Sequence, residues 1–274
     1  MVKNTLEANG FGWISNPLLD PVEDWTKLPV LHRRGAAVFG DNLLPPEFAS
    51  YEFRKLLRYL INSRGGTVCD VDAVAATLSQ NSASVAKSFE VLETAGLLER
   101  EGQYWVFVPT VDSLGPTLEW YVASLFNKHL HWAASSNVYL EDIAFNDFDV
   151  LAVRGNEIAH VECKTSAPGN VPESDLVALT ERHYFLEPAF TLLLIDTSSS
   201  VGELASRLED VISKRFDAPV AHVQPVDQKG NVFNGMKNIY IGNASKGASN
   251  GLLRTLQLTL RHYSTRVRGK MFWG

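Results

Sequence analysis

Two short apolar runs, Phe148-Asp149-Val150-Leu151-Ala152-Val153 and Ile158-Ala159-His160-Val161-Glu162-Cys163-Lys164, flank Arg154-Gly155-Asn156-Glu157. Runs of this length around a Gly-Asn signal predict two antiparallel strands joined by a tight turn. Side chains alternate across a strand, so Glu162 and Lys164 share one face while Val161 and Cys163 take the other. Upstream, Leu118, Tyr121, Val122, Leu125 and Leu130 recur at helical spacing behind Gly115-Pro116-Thr117, a good helix start. Asn137 to Ile143 reads as a first strand. Downstream come a helix over Pro172 to Leu186 and a buried strand over Phe190 to Ile195. A further helix carries Val201, Leu204, Leu208, Val211 and Ile212, and a strand follows over Val220 to Val226. The fold class expected is α/β, in the order α-β-β-β-α-β.

Residues 51–110 form a separate unit. Tyr51 to Ile61 and Val71 to Leu78 predict two helices, and Ser82 caps a third whose Val85, Phe89 and Leu92 share a face closed by Gly96. Leu97 to Arg100 and Tyr104 to Val108, turning at Glu101-Gly102-Gln103, predict a hairpin. Three helices and a hairpin resemble a small winged helix-turn-helix domain, a resemblance that implies DNA reading. The third helix, however, sets Lys87 against Glu90 and Glu93, and the hairpin holds Glu99 and Glu101. Phosphate affinity comes mainly from Lys and Arg, so a dimerising or partner-docking role is the expectation here. Residues 1–50, rich in Pro and Trp, carry no assigned role.

With 274 residues and 45% hydrophobic content, the chain is long enough to bury a sizeable core in two domains. The two cysteines, Cys69 and Cys163, form neither a disulfide framework nor a zinc spacing, which fits a reducing cytoplasm. No apolar run approaches the ~18 residues of a membrane span, and the N-terminus lacks a signal-peptide core. The seven histidines show no metal-ligand pattern, and His160 is expected to be packed and hydrogen-bonded.

Charge is uneven. Of the overall −6, residues 227–274 hold eight Lys or Arg against the single acid Asp227, a net +7, leaving −13 for residues 1–226. In that basic segment Arg254, Arg261, Arg266, Arg268 and Lys270 are interleaved with Tyr263, Phe272 and Trp273, the footprint of a nucleic-acid contact. Leu252, Leu253, Leu256, Leu258 and Leu260 predict that the same segment is a helix packing on the body through its leucines.

The candidate chemistry lies in the hairpin. Charged groups are rarely left in apolar β-rich sequence without a partner. Two carboxylates, Asp149 and Glu162, on neighbouring strands suit a hard divalent metal, and Lys164 adds a cation beside them. Asp149, twelve residues, then Glu162-Cys163-Lys164 resembles the signature of the PD-(D/E)XK nuclease superfamily. The wording around it, Phe145-Asn146-Asp147-Phe148-Asp149-Val150-Leu151 and His160-Val161-Glu162-Cys163-Lys164-Thr165, resembles the nuclease domains of CRISPR-associated ancillary effectors, over roughly residues 112–226.

That resemblance implies a restriction-endonuclease-like core over 111–226, followed by a basic extension with one helix over 227–274. It implies Mg²⁺ or Mn²⁺ held by Asp149 and Glu162, with the Cys163 carbonyl and Glu119 as further ligands. Lys164 would orient water or stabilise charge on phosphate, and the substrate would be DNA or RNA, in host defence or DNA processing. The cyclic-oligoadenylate sensor of those effectors has no counterpart in residues 1–110, so that mode of activation does not carry over. A homodimer or a partner protein is expected through the winged-helix-like unit. Two other classes remain: a non-catalytic winged-helix DNA-binding regulator, and an assembly subunit with a degenerate nuclease scaffold.

Overall fold

The computed structural model describes residues 13–14, 45–63, 68–108, 113–140, 148–216, 223–235, 238–244 and 249–272. The chain divides near residue 117 into two compact units, the first holding the described residues from 45 to 117 and the second the rest. Strand β1, Trp13–Ile14, belongs to the second.

The first unit opens with a 3-10 turn, Pro46–Ala49, and then α1, Tyr51–Asn62, whose N-cap Ser50 accepts from the Phe53 N–H. Phe53, Leu56, Leu57, Leu60 and Ile61 form its buried face. Arg54 is buried on the same helix and discharges its donors onto the carbonyls of Phe48 and Ala49 at 2.7 and 2.8 Å. Strand β2 is Val68–Cys69, and α2, Val71–Leu78, is capped by Asp70. Helix α3 is Ser82–Thr94, capped by Asn81 rather than by Ser82 as the sequence suggests: the Asn81 Oδ1 accepts from the N–H groups of Ala83 and Ser84. β3, Leu98–Glu101, and β4, Tyr104–Phe107, turn through Gly102 at φ 65°, a conformation glycine adopts without strain. β2 pairs on the far edge of β4, and a two-residue strand is too short to show periodicity in the sequence.

The second unit is built on a mixed eight-stranded sheet. Helix α4, Gly115–Leu125, runs on as a π-turn through Leu130 and ends at His131, whose φ is 56°. β5, Ala133–Leu140, begins four residues before the expected strand, and the expected end, 141–143, lies outside the described residues. β6, Phe148–Arg154, and β7, Glu157–Lys164, pair antiparallel with Arg154 opposite Glu157, so the turn is Gly155-Asn156. Helix α5, Glu173–Leu186, and strand β8, Phe190–Ile195, fall within a residue of expectation, and β8 is buried along its length. Next come α6, Gly202–Phe216, β9, Gln224–Pro225, β10, Val232–Asn234, β11, Ile239–Asn243, and α7, Gly251–Phe272.

The strand order is β1-β5-β6-β7-β8-β11-β10-β9. β7, β8 and β11 are mutually parallel, and the pairings from β1 to β7 and from β11 to β9 are antiparallel. This corrects the sequence reading in one respect. The strand beside β8 is Ile239–Asn243, from the segment read as a basic extension, and the strand expected over Val220–Val226 takes no part in that pairing. Of that stretch, 220–222 lie outside the described residues and Gln224–Pro225 is only a short edge strand.

One face of the sheet, through Leu193, Ile195, Ile239 and Ile241, packs against Leu176 and Leu179 of α5 and Leu204, Leu208 and Ile212 of α6. By alternation Tyr240 and Gly242 face the other way, where α7 lies. A Cβ on Gly242 would stand 2.5 Å from the Thr255 methyl, so the helix touches β11 backbone directly. His160, Glu162 and Lys164 pair with Thr191, Leu193 and Ile195, which places them on the face that α5 covers. Among the described residues no helix is long and apolar enough to cross a membrane.

Candidate active site

The β6–β7 ladder ends with Val150 opposite Val161, and Asp149 and Glu162 are the next residue on each strand. The Asp149 Oδ2 accepts a 2.7 Å hydrogen bond from the Cys163 N–H. On the other side of β6, the β5 ladder pairs Ser136 with Val150 and Val138 with Phe148 but skips Asn137, which sits at φ 53°. Asn is among the residues that tolerate that region, and such strain clusters at functional positions.

Glu162 is 6% exposed and held from two sides. The Arg182 Nη1 donates to its Oε2 at 2.8 Å, and the Lys164 Nζ lies 3.1 Å from its Oε1. Lys164 also reaches the Asp175 Oδ2 at 2.9 Å. The result is a chain of alternating charge, Asp175–Lys164–Glu162–Arg182, bridging helix and strand. His160, expected to be hydrogen-bonded, is fully buried with neither ring nitrogen bonded. Its Nε2 stops 3.7 Å from the Glu162 Oε2, and its ring packs edge-on to Phe148.

Burial pushes the Asp149 carboxyl well above its ordinary value, and the nearby charges of Glu162 and Glu119 push it further. The Cys163 N–H and Lys164 pull the other way without prevailing. For Glu162 burial also acts upward, but His160, Arg182 and Lys164 outweigh it and bring the group down to about 2. Burial keeps the His160 ring neutral and its Nε2 stands 3.7 Å away, beyond hydrogen-bond reach, so Arg182 and Lys164 are the two groups in direct polar contact with the carboxylate. Burial would discharge Lys164, but Glu162 and Asp175 reverse the effect and raise it above its ordinary value. Lys164 is therefore an ammonium donor and not a base. Burial, then the surrounding carboxylates, raises the Cys163 thiol well above its ordinary range, so its sulfur stays protonated.

Glu119 lies partly buried on α4, close enough for its charge to act on both Asp149 and Cys163. The structure thus brings Asp149, Glu162, Lys164, Cys163 and Glu119 into one neighbourhood. Among the described residues, though, no three of His, Cys, Asp and Glu form a ready-made metal cage. A hard divalent ion still fits the donor set: two neighbouring carboxylates, one of them held at a raised pKa by burial and by the negative charge around it. Mg²⁺ commonly uses one or two carboxylates and keeps water in its other positions.

The basic residues are dispersed. Arg254 and Arg261 are exposed on α7, while the Arg266 Nη1 donates to the Asn234 Oδ1 at 2.6 Å. The side chains of Arg268, Lys270 and Phe272, and all of Trp273, lie outside the described residues. Tyr263 is no stacking platform: it is 7% exposed, packs on Phe190, and its hydroxyl donates to the Glu157 Oε1 at 2.9 Å.

Sequence reasoning missed Arg182 and Asp175. The available signal was their separation by seven residues, two turns on one face of a predicted helix that follows the strand carrying Glu162 and Lys164. It also missed Asp196, fully buried after β8, whose N–H donates to the Lys164 carbonyl at 2.8 Å.

No protein-family model matches the chain, and no curated protein sequence matches it. Among solved structures, it is similar to VC1899 from Vibrio cholerae, with TM-score 0.42 and 16% identity over 77% of this chain and 55% of that one. It is also similar to Can2 from Sulfobacillus thermosulfidooxidans, solved in complex with cyclic tetra-adenylate, with TM-score 0.45 and 13% identity over 96% of this chain and 61% of that one. The chain thus spans somewhat over half the length of each.

Proposed function

We propose that the second unit is a metal-dependent nuclease that hydrolyses phosphodiester bonds of DNA or RNA in the PD-(D/E)XK manner. The observation that carries this reading is the Asp149 carboxylate, anchored on the Cys163 N–H at 2.7 Å and close enough to feel the Glu162 charge, with the Lys164 ammonium 3.1 Å from Glu162. Asp149 and Glu162 would hold Mg²⁺ or Mn²⁺, with the Cys163 carbonyl and Glu119 nearby as further oxygen donors. Bound there, the metal supplies a water of lowered pKa and charge neutralisation at phosphate.

The protein's own groups do the rest. Lys164, permanently charged and pinned by Glu162 and Asp175, donates toward the phosphate oxygen where negative charge builds. The exposed Arg254 and Arg261 attract the polyanion to an otherwise acidic body. Host defence, including CRISPR-linked immunity, is the setting suggested by the sequence around the motif. The first unit, a winged-helix-like arrangement with Glu90, Glu93, Glu99 and Glu101 exposed, suits docking of a second copy or a partner protein better than DNA reading.

A second reading has one observation in its favour. Glu162 is already neutralised by Arg182 and Lys164, as in a purely structural ion-pair network of a non-catalytic scaffold. Cleavage assays on single- and double-stranded DNA and RNA with Mg²⁺ or Mn²⁺ separate the two. The nuclease reading expects a loss of about 10²–10³-fold in rate for Lys164→Ala at unchanged folding. Equal rates for wild type and a Glu162→Ala, Lys164→Ala double variant would leave only the scaffold.

A further inference from the structure

Resting on the nuclease reading, we propose that Arg182 and Asp175 are positioning residues: Arg182 holds Glu162 for the metal, and Asp175 holds Lys164 for the phosphate. The two lie seven residues apart on α5, two helical turns, or ~10.5 Å of rise. Glu162 and Lys164 lie two residues apart on one face of β7, ~6.6 Å along the strand. Long side chains on both elements close that mismatch, giving contacts of 2.8 Å for Arg182 with Glu162 and 2.9 Å for Lys164 with Asp175. Helix and strand run in opposite senses, so each anchor meets its own partner.

Three features argue that these contacts position rather than merely pack. First, Arg182 approaches Glu162 through Nη1, while its Nε is buried without a hydrogen-bond partner. A guanidinium serving only as a scaffold would be expected to use that donor in a two-pronged grip. The single-pronged contact leaves carboxylate lone pairs open for a second cation. Second, the side chains of Arg182 and Glu162 are 14% and 8% exposed, so solvent screens their pairing little. Third, Lys164 has two acidic partners. Without Asp175 the ammonium keeps its contact with the Glu162 Oε1 but loses the second anchor that fixes its direction; without Arg182, Glu162 turns wholly onto Lys164 and away from Asp149. The Arg182 charge also repels a divalent ion through space. Orientation outweighs that repulsion here, and this fixes the sign of the test.

The test is Mn²⁺ binding to the full chain, read from the electron paramagnetic resonance signal of the free ion, beside cleavage kinetics. Arg182→Met is expected to weaken Mn²⁺ binding about tenfold, the lower end for residues that orient metal ligands, and Arg182→Lys to recover most of it. Asp175→Asn is expected to leave Mn²⁺ binding unchanged and to lower kcat about tenfold at constant KM. Equal or tighter Mn²⁺ binding by Arg182→Met overturns the proposal while leaving the nuclease reading intact. A wild-type chain that binds no Mn²⁺ overturns both. Should Arg182→Met fail to melt cooperatively, Asp175→Asn decides: a loss confined to kcat supports the assignment. A fall in Mn²⁺ affinity alongside kcat, or no change in either, rejects it.

Discussion

The Asp149 carboxylate accepts a 2.7 Å hydrogen bond from the backbone N–H of Cys163, on the neighbouring strand. The bond fixes the side chain beside Glu162 although the two carboxylates repel, and one N–H does not offset burial together with two neighbouring acids. Asp149 is thus held in a place where its charge is unfavourable without a cation. Metal sites store this kind of electrostatic cost before they are filled.

Stability of the metal-free protein should report it. A carboxyl whose folded pKa is raised binds more protons folded than unfolded, so stability falls as pH rises from the ordinary carboxylate range, ~3.9, through the raised value. Asp149→Asn keeps an acceptor for the Cys163 N–H and removes the charge. In the presence of a chelator at pH 7–8 the variant should melt higher than wild type by ~2–4 °C, about 1 kcal/mol for a domain of this size. The gain should vanish toward pH 4. Wild type melting higher at pH 8 without metal would contradict the assignment.

Packing of α7 on β11 gives a second prediction. Gly242→Ala places a methyl 2.5 Å from the Cγ2 of Thr255, a buried and β-branched side chain with little freedom to move. Chemical denaturation should show a loss of about 1–3 kcal/mol, the usual cost of overpacking a core. A Gly242→Ala protein as stable as wild type would mean that the helix is not seated as described.

The hairpin was legible because its signals agree. Alternation, the Gly-Asn turn and the charged triplet all point to one register, which the structure places at Val150 opposite Val161. Strand β11 was not legible: its apolar run, Ile239-Tyr240-Ile241, is only three residues long, amid a Gly-, Asn- and Lys-rich stretch that reads as loop. Its place beside β8 is set by tertiary pairing, with Ile239 beside Thr191 and Asn243 beside Ile195. Arg182 was hidden for a different reason. A charged residue on an amphipathic helix reads as solvated, and only the packing of α5 over β7 turns it onto Glu162.

Electrostatic attraction of substrate gives a third prediction. Arg254 and Arg261 are exposed on α7, unlike Tyr263 on the same helix, which is committed to Glu157 and Phe190. An Arg254→Ala, Arg261→Ala double variant should fold normally and bind nucleic acid more weakly. The slope of log K against log salt should become shallower by ~0.7–0.9 for each phosphate that the two arginines neutralise in the wild type. An unchanged slope would move the substrate path off this helix.

The central claim is that Asp149 and Glu162 share a divalent metal. Crystals soaked in Mn²⁺ and measured for anomalous scattering test it directly. The account predicts a peak within oxygen-coordination distance of both carboxylates, ~2.0–2.6 Å for hard divalent ions, and no such peak in a Glu162→Ala crystal. A soaked wild-type crystal with no peak there, and with Glu162 still engaged only by Arg182 and Lys164, would contradict it.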